Sequence, residues 1–263
     1  KGNNYSDGLL LSVQADVSDL KNKTTKNTAS SSILQIIPFT STIRWEVDYI
    51  QKKGRLETIY NSFKYQEYCI NDLQKESLFG LSVKASLDKK NGMIPVLRMS
   101  NVINGELDFS TLKYLPADCA STEKEPQKWI LRKGDFLITR TNGSKDLIGK
   151  AAIFNSDETY TYASYLIRYR FDTTIVLPEY VNILFMTPLV REQIAVMRRQ
   201  GGGQYNLNSD EIGAIRLPVP SIPIQKQIIK KFFDAKDEAQ IYYDAATKCQ
   251  IEAAVDFEKE IFS

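Results

Sequence analysis

The last 40 residues constrain this chain most. After Pro223 there is no glycine and no proline, the two residue types that most readily stop a helix. Over the same stretch, apolar or small residues fall at Ile228, Phe232, Ala235, Ala239, Tyr242, Ala246, Cys249 and Ala253, in alternating steps of four and three. That spacing is the seam of a heptad repeat, and it predicts one long helix over 223–263. The seam is made of small side chains, so a second helix could approach closely. Two arrangements fit: a helix lying on its own domain, or a coiled-coil-like spacer and dimerisation helix.

The body that precedes this helix reads as a mixed α/β domain over 46–222. "IPVLRMSNVINGELDF" alternates apolar and polar residues, breaks at Asn104-Gly105 and resumes, the pattern of two strands joined by a tight turn. "GDFLITRT", "KAAIFN" and "YLIRYRFD" predict further strands. Pro178 opens a helix at its first turn, where a missing N–H costs nothing. Pro188 interrupts or restarts that helix, and the glycines at 201–203 are expected to end it. An apolar content of 43% supports a packed core. Ahead of the domain, residues 1–45 read as an extension: "SDLKNKTTKNTASSS" has linker composition, and "ILQIIPF" (Ile33 to Phe39) is a candidate short strand. "RWEVDYI" (Arg44 to Ile50) supplies an aromatic anchor at the domain entrance.

Several kinds of chemistry are excluded. There is no histidine, so a Ser–His–Asp triad, a zinc deaminase site and a histidine-dependent nuclease site are all missing. No tetrapeptide of the kind that holds an exocyclic amino group for methyl transfer is present. Cys69, Cys119 and Cys249 are odd in number and far apart, which favours reduced thiols and a cytoplasmic protein over a disulfide frame or a zinc site. "GGGQYN" lacks the strand-before, helix-after setting of a phosphate-binding glycine loop. The expectation is no catalytic residue, no metal and no cofactor. Nor does any apolar run reach the roughly 18 residues of a membrane span.

What remains is a set of polar loops. The net charge of +2 is uninformative, but Lys and Arg outnumber Asp and Glu between Lys84 and Lys150, and Ala195 to Ser209 holds two arginines and no acid. Local basic patches of this kind suit an anionic polymer. One loop offers Arg140, Thr141, Asn142, Gly143, Ser144, Lys145 and Lys150. A second offers Arg198, Arg199, Gly202, Gly203, Gln204, Tyr205, Asn206 and Asn208, and a third Arg98, Ser100 and Asn101. Arg, Asn and Gln can form paired hydrogen bonds with base edges; Lys, Ser, Thr and loop N–H groups suit phosphates. Each loop taken alone also reads as an ordinary hairpin or helix cap. Three together, with no catalytic set, favour a binding module suited to nucleic acid. A protein–protein adaptor working through its helix is the alternative.

The motifs also carry a resemblance. "GMIPVLRMSNVINGELDFSTLKYL", "KGDFLITRTNGSKDLIGKAAIF" and "LPVPSIPIQKQII", in this order and over roughly 65–245, resemble the specificity subunits of type I restriction–modification systems and the target recognition domains of fused restriction–methylation enzymes. The resemblance implies an α/β target recognition domain joined to a long helix. Such helices pair antiparallel, space two recognition domains and dock methyltransferase subunits. It further implies sequence-specific, non-catalytic reading of double-stranded DNA on behalf of partner subunits that methylate adenine or cut. A complete subunit of this kind carries two recognition domains and two helices; one of each is visible here. The expectation is therefore either a half-length subunit, pairing with a second copy, or the specificity region of a fused methyltransferase. The start at Lys1 favours the second.

Overall fold

The structure, a computed structural model, describes residues 47–82, 84–116 and 126–262. The chain divides into two compact units, Lys1–Gln51 and Lys52–Ser263. Of the first, the described residues supply only the opening of a helix. The linker composition of Ser18 to Ser32 and the strand expected over Ile33 to Phe39 lie outside the described residues, as do Arg44, Trp45 and Cys119.

In chain order, helix α1 (Val47–Tyr60) leads to strand β1 (Glu67–Cys69), a single-turn helix α2 (Ile70–Leu73) and strand β2 (Gln74–Phe79). Strand β3 (Met93–Leu97) precedes a short hairpin of β4 (Val102–Ile103) and β5 (Glu106–Leu107), then β6 (Lys113–Pro116). The middle of the chain forms β7 (Phe136–Thr139), β8 (Thr141–Asn142), β9 (Ala151–Ile153), β10 (Thr161–Tyr162) and β11 (Leu166–Phe171). Helices α3 (Pro178–Met186) and α4 (Pro188–Met197), strands β12 (Arg199–Gly201) and β13 (Gln204–Asn206), helix α5 (Ser209–Gly213) and strand β14 (Arg216–Pro218) follow. Helix α6 (Ile222–Phe262) is last.

A four-stranded antiparallel sheet in the order β2-β11-β7-β9 is the centre of the domain. Strand β7, "FLIT", is buried at every position, because both faces of the sheet are covered. Phe136 and Ile138 join Ile167, Tyr169 and Phe171 under helices α3 and α4. Leu137 points the other way, into a second cluster with Leu97, Phe154, Tyr162 and Leu166. The three-stranded sheet β10-β3-β6 lies on that second side, its β10–β3 pair parallel.

That second face also buries charge. Arg168 is fully buried, and its guanidinium pairs with Glu76 and donates to the Lys128 carbonyl at 2.6 Å. Arg170 bridges Glu76 at 2.8 Å and Asp135 at 2.6 Å. Two strands and the turn before β7 are thereby tied by one ion network.

The two prolines act as the sequence predicts. Each stands at the first turn of its helix, and Thr187 ends α3 and begins α4, so Pro188 restarts the helix. The Asn104-Gly105 break is the turn between β4 and β5. The glycines at 201–203 do not end a helix. Helix α4 stops at Met197, Arg199–Gly201 is a strand, and Gly202 and Gly203 have φ of +59° and +75°. Two successive left-handed residues make the tight hairpin turn that joins β12 to β13.

Helix α6 runs unbroken for 41 residues, about 60 Å at 1.5 Å per residue. Its heptad seam divides. Ile228 packs on the domain core and Phe232 is half-buried. Ala235, Ala239, Tyr242, Ala246, Cys249 and Ala253 are exposed. The first turns therefore dock the helix on its own domain, and the remainder leaves its seam uncovered at Tyr242, with Ile241 and Ile251 exposed elsewhere on its surface.

Candidate nucleic-acid interface

Two of the three polar loops meet in one small sheet. Strand β13 pairs with β12 on one side and β8 on the other, placing Tyr205 opposite Asn142 and Asn206 opposite Thr141. Side chains lock the pairing: Thr141 Oγ1 donates to Asn206 Oδ1 at 2.9 Å, and the Leu207 amide donates to the Arg140 carbonyl at 2.8 Å. Residues 65 apart in sequence thus form one surface.

Two arginines brace this surface from behind. Arg191 on α4 donates to the carbonyls of Asp146 and Ile148 at 3.0 and 2.9 Å. Arg198 donates to the Lys145 carbonyl at 3.0 Å and lies over the Tyr205 ring, 5.5 Å from its centre. Burial, together with the charge on Arg198, pushes Arg191 below the usual arginine value. Positive charge is crowded here, and an arriving anion would relieve it.

Gly143, Lys145, Gly202, Gly203 and Gln204 face solvent. Nothing lies within 4 Å of a Cβ built on Gly202 or Gly203, so this backbone is open to close approach. The Gln204 side chain has no hydrogen-bond partner among the described residues. Arg199 is exposed but held by Glu211 at 2.6 Å. Lys150 is half-buried and lines a cleft of about 290 Å³ with Asp146 and Arg191. The Asn142 side-chain oxygen accepts the Ser144 amide at 3.0 Å, closing a local turn, and its NH₂ group has no partner among the described residues.

Other expected residues have different work. Asn208 caps α5: its side chain accepts the Glu211 amide at 2.7 Å, while Glu211 accepts the Asn208 amide at 3.0 Å. This reciprocal pair is a capping box, so the Asn208 side-chain oxygen is committed to the start of α5. The third loop stays out of the β12-β13-β8 sheet. Asn101 is fully buried; it accepts the Arg98 amide at 2.9 Å and donates to the carbonyls of Asp108 and Thr111. Arg98 also donates to the Thr111 carbonyl, at 3.1 Å. Both shape their own loop, and only Ser100 of the three is exposed. Arg191 was invisible to sequence reasoning, since an arginine in the middle of a helix reads as an ordinary surface residue.

Among the described residues, no group of three or more His, Cys, Asp or Glu is placed to hold a metal ion. Cys69 and Cys249 are free. No described helix is long and apolar enough to cross a membrane.

Comparison with known proteins decides the family. The model of the type I restriction modification DNA specificity domain matches residues 64–252. The chain belongs to this family. The specificity subunit of the type I restriction enzyme EcoKI from Escherichia coli (strain K12) is 28% identical over 186 residues, covering 68% of this chain and 38% of that subunit. The StySPI specificity subunit of Salmonella potsdam is 25% identical over 138 residues, covering 52% and 28%. The chain therefore spans well under half the length of these specificity subunits. In fold it resembles the crystal structure of the HsdS subunit from Thermoanaerobacter tengcongensis, with a TM-score of 0.54 and 11% identity over 74% of this chain and 48% of that one. As a type I specificity domain, the chain has the expected form: a mixed α/β body carrying one long C-terminal helix.

Proposed function

We propose that this chain is a non-catalytic DNA target recognition domain with its spacer helix, reading one part of a target for a restriction–modification enzyme. Its limits would be an extension over 1–45, the recognition domain over 46–222 and the spacer and dimerisation helix over 223–263. The observation that carries the reading is the pairing of β13 with β8, which merges two glycine-rich basic loops into one open surface on a specificity-domain fold. Lys145, Lys150 and the backbone of Gly143, Gly202 and Gly203 are assigned to phosphates. Gln204, Arg140 and the Asn142 amide group are assigned to base edges, and Arg198 to positioning. Partner subunits, or a fused domain, supply adenine methylation and cleavage. The uncovered length of α6 pairs with the helix of a second recognition domain or a second copy. Family membership favours this over a free-standing adaptor.

Replacing Lys145 with Ala is expected to weaken binding to all duplexes alike and to reduce the salt dependence by about one counterion. Gln204→Ala is expected to remove about 1–3 kcal/mol of discrimination between selected and scrambled duplexes while leaving the salt slope intact. Titrations at several salt concentrations separate the two. Salt-independent association with DNA, or its absence, would return the chain to the adaptor class.

The divided seam makes its own prediction. Tyr242 is 68% exposed, so Tyr242→Asp should abolish helix pairing and leave the melting temperature unchanged. Phe232 packs edge-on to Phe233, centroids 5.5 Å apart, and lies against the domain, so Phe232→Asp should lower the melting temperature. Sedimentation run beside thermal melting reads both, and a Tyr242→Asp variant that still associates would remove α6 as the pairing surface.

A further inference from the structure

One surface feature lies beside these loops. The solvent-facing positions of β2 are Lys75, Ser77 and Phe79, so a phenylalanine completes a face that otherwise suits water, and it is 42% exposed. Tyr165, in the turn before β11, is 48% exposed. Both stand with Arg140 at the same end of the central sheet. Phe79 lies opposite Ile167, Thr139 lies opposite Leu166, and the Arg140 amide donates to the Tyr165 carbonyl at 3.0 Å. The Arg140 guanidinium covers the Phe79 ring, 4.9 Å from its centre, and its Nε is buried without a hydrogen-bond partner.

Phe79 is firmly held. The next residue, Gly80, approaches the neighbouring backbone so closely that a Cβ there would lie 2.3 Å from the Ala163 carbonyl oxygen. Its amide donates to the Leu166 carbonyl at 3.1 Å, and Trp129 Nε1 donates to the Phe79 carbonyl at 3.0 Å. A pre-organised ring of this kind loses little entropy on contact. Arg140 runs directly into β8, so the patch is continuous with the proposed DNA surface.

We infer that Phe79 and Tyr165 stack on an unstacked DNA base step, with Arg140 drawing the duplex onto them; this rests on the recognition function proposed above. The chemistry of the patch matches that ligand: its rings meet base faces, and its cation meets a base edge beside them. Apolar wedges of this type part a base step and bend the duplex, and stacking accepts any base. Selectivity then comes from how easily a step deforms, which favours flexible pyrimidine–purine steps. A patch serving a protein partner would leave base stacking untouched.

The test uses the full chain to select duplexes from a random-sequence pool, then places 2-aminopurine at successive positions of a selected duplex. The wild-type chain should raise fluorescence at one step. Phe79→Ala should abolish the rise and bind about tenfold more weakly, whereas Phe79→Trp should restore both. Gln204→Ala should bind more weakly and keep the rise. Phe79 is exposed enough for its truncation to leave the fold intact, which thermal melting verifies. If the Phe79→Ala/Tyr165→Ala double variant bound normally while Gln204→Ala was impaired, the stacking role would be overturned and DNA recognition would stand. A wild-type chain that raises no fluorescence at any position also overturns the stacking role. Failure of the wild-type chain to enrich any duplex overturns both.

Discussion

Replacing Glu76 with Ala is expected to destabilise the domain by about 3 kcal/mol, or roughly 6–12 °C in melting temperature for a unit of this size. The loss is large because Arg168, opposite it, is wholly buried and would keep only the Lys128 carbonyl as a hydrogen-bond partner. The low end of the range for broken buried pairs applies because the Glu76 side chain is itself 41% exposed. Glu76→Gln, which keeps an acceptor, should cost less. Burial raises the Glu76 carboxyl, but the Arg168 charge and the Arg170 hydrogen bond outweigh it, and the net shift is downward. A carboxylate lowered in the folded state stabilises above its unfolded value of about 4.3 and loses that contribution as pH falls below it. Wild type and Glu76→Ala should therefore differ most near neutrality and converge in acid. Parallel melting curves from pH 7 to pH 3 check this, and a constant gap would contradict it.

The second large effect belongs to Gln225. It is fully buried where α6 leaves the domain; it accepts the Leu177 amide at 2.8 Å and donates to the carbonyls of Ile175 and Pro220 at 2.9 and 2.8 Å. Gln225→Leu keeps most of the volume and strands all three backbone groups, each worth about 1–3 kcal/mol when left unmet. A loss of about 3–5 kcal/mol is expected, with amide exchange accelerating first over Ile222 to Phe232. Unchanged exchange there would show that the helix is anchored by Ile228 and Ile229 instead.

The strands of the core were legible because alternation and apolar runs survive in any sequence whose sheet is covered in this way. "FLIT" and "YLIRYRFD" needed no partner to be recognised, and Asn104-Gly105, Pro178 and Pro188 name their own local geometry. The triple glycine was not legible. A helix followed by glycine most often ends in a left-handed cap. Only the availability of β8, far back in the chain, makes a hairpin of Arg199 to Asn206 instead. Asn101 and Asn208 show a second limit. Asparagine serves a base edge and a bare backbone amide equally well, and which one it meets is decided by neighbours that no local pattern names. The seam of α6 is one periodic stripe in the sequence but serves two surfaces, the domain near Ile228 and Phe232 and open solvent from Ala239 onward.

The long helix also acts as a lever. From Gln225 to Phe262 it extends about 55 Å, so a tilt of only 10° at its root carries the tip through roughly 10 Å, about three base-pair steps of a duplex. Whatever is fastened to the far end inherits that magnification. If two readers sit at a fixed separation on DNA, as the proposed function has it, angular stiffness at one buried glutamine is equivalent to a tolerance in base pairs.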